Sequence, residues 1–287
     1  NYFLHLQRLT VFYMKQLILA IAVLSLFSTK AQSLIKGTVK DAHGVPISYA
    51  DVGIVGTTRG ITTDAQGAFS LNVADYKPTD SLFVSHLSYE RKAFTIASLQ
   101  GQQPLVISLK ERTIEVPEVT VNVKKGKEKT LMGKGVRVVA GSVCIIPDEF
   151  ETSGSEELGD FMRLKKDHIA TQFELRLLKN TAQTLLRLEF YSVNEDKSVF
   201  TPLIHEPIYI ELPQTKKAMI LKKSLRVLLP KGEVWIGFRV VSSIGKKGDE
   251  TCFAASFSGC WVRNGNDLEK IPLGLGMQFA VKGYSVE

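Results

Sequence analysis

The chain has 287 residues, 44% apolar and 23% charged, the balance of a globular protein and not of a disordered or fibrous one. Its formal charge of +7 falls to +4 when Arg8, Lys15 and Lys30 are set aside with an N-terminal leader, too mild for a nucleic-acid footprint. Three cysteines, Cys144, Cys252 and Cys260, are too few for a disulfide scaffold and leave at least one thiol unpaired.

The leader comes first. Met14-Lys15 precedes an apolar run at 17–27, and small residues follow at Thr29 and Ala31. This pattern predicts a signal peptide over 14–31, cleaved after Ala31 and too short to remain in a bilayer. Residues 1–13 lie upstream of that methionine and read as an extension foreign to the mature protein. No cysteine follows the leader before Cys144, so the mature chain is expected to carry neither an N-terminal lipid anchor nor an integral membrane segment.

The stretch 35–71 contains two units of one kind, Asp41-x-x-Gly44 and Asp64-x-x-Gly67. Asp at the first and Gly at the fourth place suits a type I turn, because the carboxylate caps the turn's amides and glycine accepts positive φ. Each unit is expected to close a hairpin. Calcium ligation is the weaker reading of the two aspartates, since a calcium loop needs several oxygens at close spacing. Alternating or short apolar blocks at 34–39, 52–55, 69–73, 81–85 and 105–109, with turn signals between them, predict six or seven short strands in a small β-sandwich.

Gly37-x-Val39-x-Asp41-x-x-Gly44-x-Pro46-Ile47, then Ala50-Asp51-Val52, Gly56-Thr-Thr-Arg-Gly60 and Thr63-Asp-Ala-Gln-Gly-Ala-Phe-Ser-Leu71, resemble the carboxypeptidase regulatory-like domain. The resemblance covers residues 34–112. It implies a transthyretin-like sandwich without chemistry of its own, of a kind common in exported and outer-membrane proteins of Gram-negative bacteria, TonB-dependent receptors included. Arg112-Thr-Ile-Glu-Val-Pro-Glu-Val resembles the segment that can serve as the TonB-contact box in those receptors. A receptor needs a plug and a many-stranded barrel, however, and only about 160 residues remain. Residues 113–135, with lysines interleaved among Gly126, Gly133 and Gly135, therefore read as a linker. Gly133-Lys134-Gly135 lacks the Ser or Thr of a phosphate-binding loop.

Residues 136–287 predict a second sandwich. Ile169, Thr171, Phe173, Leu175 and Leu177 alternate with polar neighbours, as do Leu186, Leu188 and Phe190 with Arg187 and Glu189. Further strands are expected at 208–212, 218–221, 234–241, 252–257, 260–263 and 275–281. Eight or so strands suit a jelly-roll-like sandwich. The fold class is all-β: an N-terminal transthyretin-like sandwich and a C-terminal jelly-roll-like one.

No residue set amounts to a catalytic site. None of His5, His43, His86, His168 and His205 has Glu three residues on, so the His-x-x-Glu pair of a zinc carboxypeptidase is missing, and no Gly-x-Ser-x-Gly elbow occurs. Cys144, within an apolar run, reads as a core thiol of low reactivity. No enzyme activity, cofactor or metal is expected.

A binding surface follows from parity. Val234, Ile236, Phe238 and Val240 take the core face of their strand and leave Trp235 with Arg239 on the other. If Ser258-Gly259 is a hairpin turn, Phe253, Ala255, Phe257 and Cys260 share one face and Trp261 and Arg263 the opposite one, while Cys252 and Cys260 point apart. Trp235, Arg239, Trp261 and Arg263 are the candidate ligand or partner surface, since Trp and Arg are enriched at binding hot spots. The competing reading is that loops cover them, or that each arginine stacks on its neighbouring ring. The expected function is an exported, non-catalytic cell-envelope protein, periplasmic or outer-membrane associated, acting as an interaction or adaptor module. The alternative is a carbohydrate-binding module for glycan uptake or degradation. Its partner is a protein or glycan of the envelope, not nucleic acid.

Overall fold

The computed structural model describes residues 34–57, 60–99, 104–112, 126–133, 141–147, 156–257, 260–264, 267–272 and 276–286. The expected extension at 1–13, the signal peptide at 14–31, most of the 113–135 linker and the Ser258-Gly259 turn lie outside the described residues.

The N-terminal strands are β1 (Leu34–Lys40), β2 (Asp51–Ile54), β3 (Gly60–Thr62), β4 (Ala68–Asn72), β5 (Ser81–His86), β6 (Tyr89–Thr95) and β7 (Leu105–Ser108), with one helical turn, α1 (Ile96–Leu99). They form a three-stranded sheet, β4-β1-β7, and a four-stranded sheet, β3-β2-β5-β6. Period-2 alternation turns Ile35, Val39, Val52, Ile54, Leu82 and Val84 inward, where each is at most 1% exposed.

Both Asp-x-x-Gly units are turns of the expected chemistry. Asp41 Oδ1 accepts from the N–H groups of His43 and Val45, and Asp64 Oδ1 from those of Gln66 and Ala68, all at 2.8–2.9 Å. Gly44 and Gly67 have φ of 85° and 73°. The first expected hairpin is present in short form, with an antiparallel bridge between Lys40 and Pro46 and the Ile47 N–H donating to the Val39 carbonyl at 2.9 Å, whereas the second is corrected. The second turn joins β3 to β4 and the first leads from β1 toward β2, and in each case the two strands belong to different sheets. The turns are corners of the sandwich, where the chain leaves one layer for the other.

Gly67 has a second constraint, because a Cβ there would stand 2.5 Å from the Val39 carbonyl oxygen. Gly67→Val is therefore expected to destabilise the protein by about 1–3 kcal/mol. A fall in the denaturant midpoint at unchanged slope would register it, and an unchanged midpoint would contradict it.

The remaining strands are β8 (Lys129–Met132), β9 (Gly141–Ile145), β10 (Glu157–Leu164), β11 (His168–Asn180), β12 (Gln183–Val193), β13 (Phe200–Pro202), β14 (Ile208–Glu211), β15 (Met219–Leu229), β16 (Gly232–Ile244), β17 (Thr251–Ser256), β18 (Trp261–Asn264), β19 (Asp267–Lys270), β20 (Gly276–Met277) and β21 (Phe279–Ser285). That exceeds the eight or so expected, and β8 lies within the stretch read as linker. Two sheets result. One has the order β13-β12-β16-β10-β18-β19 with β14 also on β12, and the other β20-β17-β11-β21-β8 with β15 on β11 and β9 on β17. The chain crosses repeatedly between them, and the architecture is an all-β sandwich.

Phe173 of β11, Phe238 of β16, Phe253 of β17 and Phe279 of β21 meet between the sheets, with ring centroids 5.6–6.0 Å apart. The expected even face of β16 is the core face. A bulge between Ala170 and Gln172 shifts the parity of β11, so Ala170 before it and Phe173 after it both join the core.

Three expectations near the cysteines are corrected. β17 and β18 lie in different sheets and are not two arms of a hairpin. Phe257, expected inward, is 73% exposed because it lies just past the end of β17. Cys144 is not a core thiol: it is exposed on β9, opposite Cys252 of β17, and bonded to it across 108 residues of sequence. Cys260 is the free, buried cysteine. Reduction, or Cys144→Ser, is expected to lower stability by about 2–4 kcal/mol through the freed denatured chain. Denaturation with and without reductant tests this, and equal midpoints would contradict it.

Candidate functional site

Ile35–Leu71 and Tyr76–Glu287 form one compact unit, so both sandwiches belong to it. The site is built on the outer face of the sheet containing β12, β16, β10 and β18. Alternation that sends Leu186, Leu188, Phe238 and Val240 to the core leaves Arg187, Glu189 and Tyr191 of β12 and Trp235 and Arg239 of β16 on this face. Glu157, Gly159 and Phe161 of β10 continue it, followed by Trp261 and Arg263 of β18. Register aligns these residues in rows: Arg187 stands opposite Arg239, Glu157 opposite Arg263, and Tyr191 and Phe161 flank Trp235.

Two arginines opposite one another repel unless carboxylates lie between them. Glu189 Oε1 receives the Arg187 Nε hydrogen bond at 2.7 Å and lies 3.2 Å from Arg239 Nε. The second carboxylate comes from the N-terminal sandwich. Asp51 of β2 accepts from Arg239 Nη1 at 2.7 Å and from Arg187 Nη2 at 3.2 Å. Glu157 accepts from Arg239 Nη2 and, with its other oxygen, from Arg263 Nε at 2.8 Å. Tyr191 donates its O–H to Glu189 Oε2 at 3.0 Å, and the Arg263 guanidinium lies over the Tyr191 and Phe200 rings. Three arginines and three carboxylates thus form a neutral cluster. Arg187, Glu189 and Glu157 are at most 2% exposed.

Burial alone would raise the Glu157 carboxyl, but Arg263 and Arg239 outweigh it and hold it below the usual carboxylate range. Arg187 likewise keeps its charge against burial, through Glu189 and Asp51. Such a cluster holds two elements in register, since removing any one member strands a buried charge.

Other contacts fasten the same interface. Arg187 Nη1 donates to the Tyr49 carbonyl at 2.9 Å, and Thr62 Oγ1 to that of Val241 at 3.0 Å. Ser88 Oγ donates to the His205 carbonyl, Leu87 joins the apolar core of the second sandwich, and Tyr49 meets Tyr209 edge-on.

Above the cluster lies a cavity of about 200 Å3. Arg187, Arg239, Arg263, Asp51 and Glu157 of the cluster line it, together with the apolar Phe83 and Phe200. His86, Arg91 and Arg112 of the N-terminal sandwich also line it.

Residues 35–121 match the family model described as the CarboxypepD_reg-like domain. The N-terminal sandwich is a carboxypeptidase regulatory-like domain. The chain is also 34% identical over 112 residues to the TonB-dependent receptor SusC of Bacteroides thetaiotaomicron, covering 38% of this chain and 10% of that protein. Among solved structures, the cysteine protease and lectin-like domains of Cwp84, a surface layer associated protein of Clostridium difficile, align at 9% identity and a TM-score of 0.30, covering 50% of this chain and 36% of that one. A structure of carbohydrate-binding modules from the β-sandwich superfamily aligns at 13% identity and a TM-score of 0.21, covering 80% of this chain and 88% of that one. Neither structural likeness carries an inference about this chain.

The regulatory-like domain thus supplies Asp51, His86, Arg91 and Arg112 to the site. The four residues expected as an exposed surface do share one face, but Trp235, Arg239 and Arg263 are buried at 0%, 5% and 6% exposure. The correction has a physical cause: Asp51 of the regulatory-like domain pairs with Arg239, Arg263 is paired with Glu157 and stacked on Tyr191 and Phe200 of the second sandwich, and the indole lies over Gly159 and Gly237. A Cβ at Gly159 would stand 2.6 Å from Trp235 Cζ2. Trp261 is half-buried, edge-on to Phe161, with the Lys197 and Lys270 ammonium groups 5.6 and 5.8 Å from its ring centre.

Asp51, Glu157, Arg187 and Glu189 were not expected at a site. The readable signal was a strand with Arg187 and Glu189 on one face between apolar residues, on a chain where Trp235 and Arg239 repeat that mixture. Another chemical group, Cys144, Glu250 and Cys252, has ligand atoms within 4.8 Å of one another, but its two sulfurs are bonded together and offer no thiolate.

His86 gives the site a pH dependence. Burial, then Arg187, lowers its pKa to about 4, with Asp51 pulling the other way. In the unfolded chain it titrates near 6.5, so between those values the unfolded state binds the proton that the folded state refuses. This contribution is complete above 6.5 and is lost as pH falls toward 4, by up to about 3 kcal/mol. Unfolding at pH 7.5 and 4.8 is expected to show a smaller acid loss in His86→Gln than in the wild type, with other groups cancelling in the comparison. Equal losses would refute the assignment.

Proposed function

We propose that the protein is an exported, non-catalytic module of the cell envelope, periplasmic or outer-membrane associated, that works by binding a protein or glycan of that compartment. Residues 14–31 serve as a cleaved signal, and 34–112 and 136–287 are two modules, with β8 of the connecting stretch 113–135 added to the second. The observation that carries this reading is the regulatory-like domain at 35–121, supported by 34% identity over 112 residues to SusC, a TonB-dependent receptor. The Cys144–Cys252 bond supports it independently, because disulfides persist in oxidising compartments.

The carbohydrate-binding alternative drew on exposed tryptophans. With Trp235 buried it retains only the half-buried Trp261. Fractionation of the producing cells with thiol labelling tests the main reading. It predicts recovery outside the cytoplasm with Cys144 and Cys252 oxidised. Recovery in the cytoplasm with both thiols free would overturn it.

A further inference from the structure

The cavity above the charge cluster is lined by five arginines and only two carboxylates. Arg187, Arg239 and Arg263 are balanced by Asp51, Glu157 and Glu189. Arg91 and Arg112 are not. Among the described residues neither has a carboxylate partner: Arg91 lies with its guanidinium 4.1 Å from the centre of the Phe83 ring, and Arg112 is fixed by its backbone N–H to the Ser88 carbonyl at 2.8 Å. The lining therefore carries an excess of positive charge that no group of the cluster neutralises.

A backbone contact also sets the tautomer of His86, which lines the cavity. His86 Nδ1 accepts from the Ser88 N–H at 3.2 Å, which leaves Nε2 as the donor of the neutral ring. Guanidinium forks match carboxylate and phosphate oxygens, and the low-dielectric surroundings strengthen such contacts. The apolar Phe83 and Phe200 suit a compact ring or carbon skeleton behind the charged group. About 200 Å3 is below the ~300–1,000 Å3 of drug-sized pockets, so the occupant is a single small unit.

We propose that this cavity is a binding site for a small oxyanion, a carboxylate or phosphate on a compact body, received by Arg91 and Arg112 of its lining. The assignment stands apart from the envelope reading: a cytoplasmic location would overturn that reading and leave the cavity's lining unchanged.

Isothermal titration of the full chain at pH 7 and low salt tests it with glucuronate, inorganic phosphate and, as the neutral control, glucose. At least one anion is expected to bind and glucose not to, with the two anion arms separating a carboxylate ligand from a phosphate one. Arg91→Gln/Arg112→Gln is expected to weaken that anion about tenfold or more. Arg91 is exposed, Arg112 half-buried and neither is paired within the buried cluster, so the variant's thermal midpoint is expected to stay close to the wild-type value. Added salt is expected to weaken binding further. Binding of neither anion, equal binding of glucose, or wild-type affinity in the double variant would each overturn the proposal.

Discussion

Asp51→Ala is expected to cost about 3–5 kcal/mol, a loss much greater than one surface carboxylate could produce. Each oxygen of Asp51 holds a different arginine of the second sandwich, Oδ1 with Arg239 and Oδ2 with Arg187. Removing the carboxylate leaves two buried guanidiniums sharing Glu189 and Glu157, and the cluster acquires a net positive charge away from water. Asp51→Asn keeps the shape and an acceptor oxygen and is expected to fall between wild type and Ala. Guanidinium chloride unfolding followed by far-UV circular dichroism measures both. A loss below about 1 kcal/mol for the Ala variant would place Asp51 among ordinary exposed pairs.

Trp235→Ala is expected to cost a comparable ~3–5 kcal/mol, the usual penalty for emptying a buried aromatic site. Its ring is fully buried, 5.0 Å from the Phe161 ring centre and 6.0 Å from that of Phe200, and it roofs two glycines that have no side chain to fill the gap. Trp235→Phe retains part of that packing and is expected to lose less. The same parity that suggested an exposed platform would have predicted a variant that folds normally and binds less well. Wild-type stability in Trp235→Ala, read by circular dichroism because fluorescence retains only Trp261, would restore that view.

What could be read from the chain divides along the range of the interactions involved. The Asp41 and Asp64 turns were legible because each carboxylate caps amides two and four residues on. The inward face of β16 was legible because it depends only on period-2 alternation. The missing hairpin at the Asp64 turn was not, since the sheets that β3 and β4 join are decided by distant partners. Among the strands that the sequence pattern did not mark, β10 and β6 have local reasons. β10 interrupts its apolar residues with Glu157, a member of the charge cluster, and with Gly159, Asp160 and Arg163, and β6 exposes most of its positions. The Cys144–Cys252 pairing required the β9–β17 neighbourhood, which spacing does not encode. Asp51 was visible only as part of the Ala50-Asp51-Val52 motif. Its partners lie 136 and 188 residues away.

A double-mutant cycle on Asp51 and Arg239 tests most directly whether the buried cluster fastens the regulatory-like domain to the second sandwich. Unfolding free energies of the wild type, Asp51→Ala, Arg239→Ala and the double variant give the coupling between the two side chains alone. A coupling above about 1.5 kcal/mol is the predicted result for a close, desolvated charge pair. Additive losses, with coupling within about 0.3–0.5 kcal/mol of zero, would contradict it.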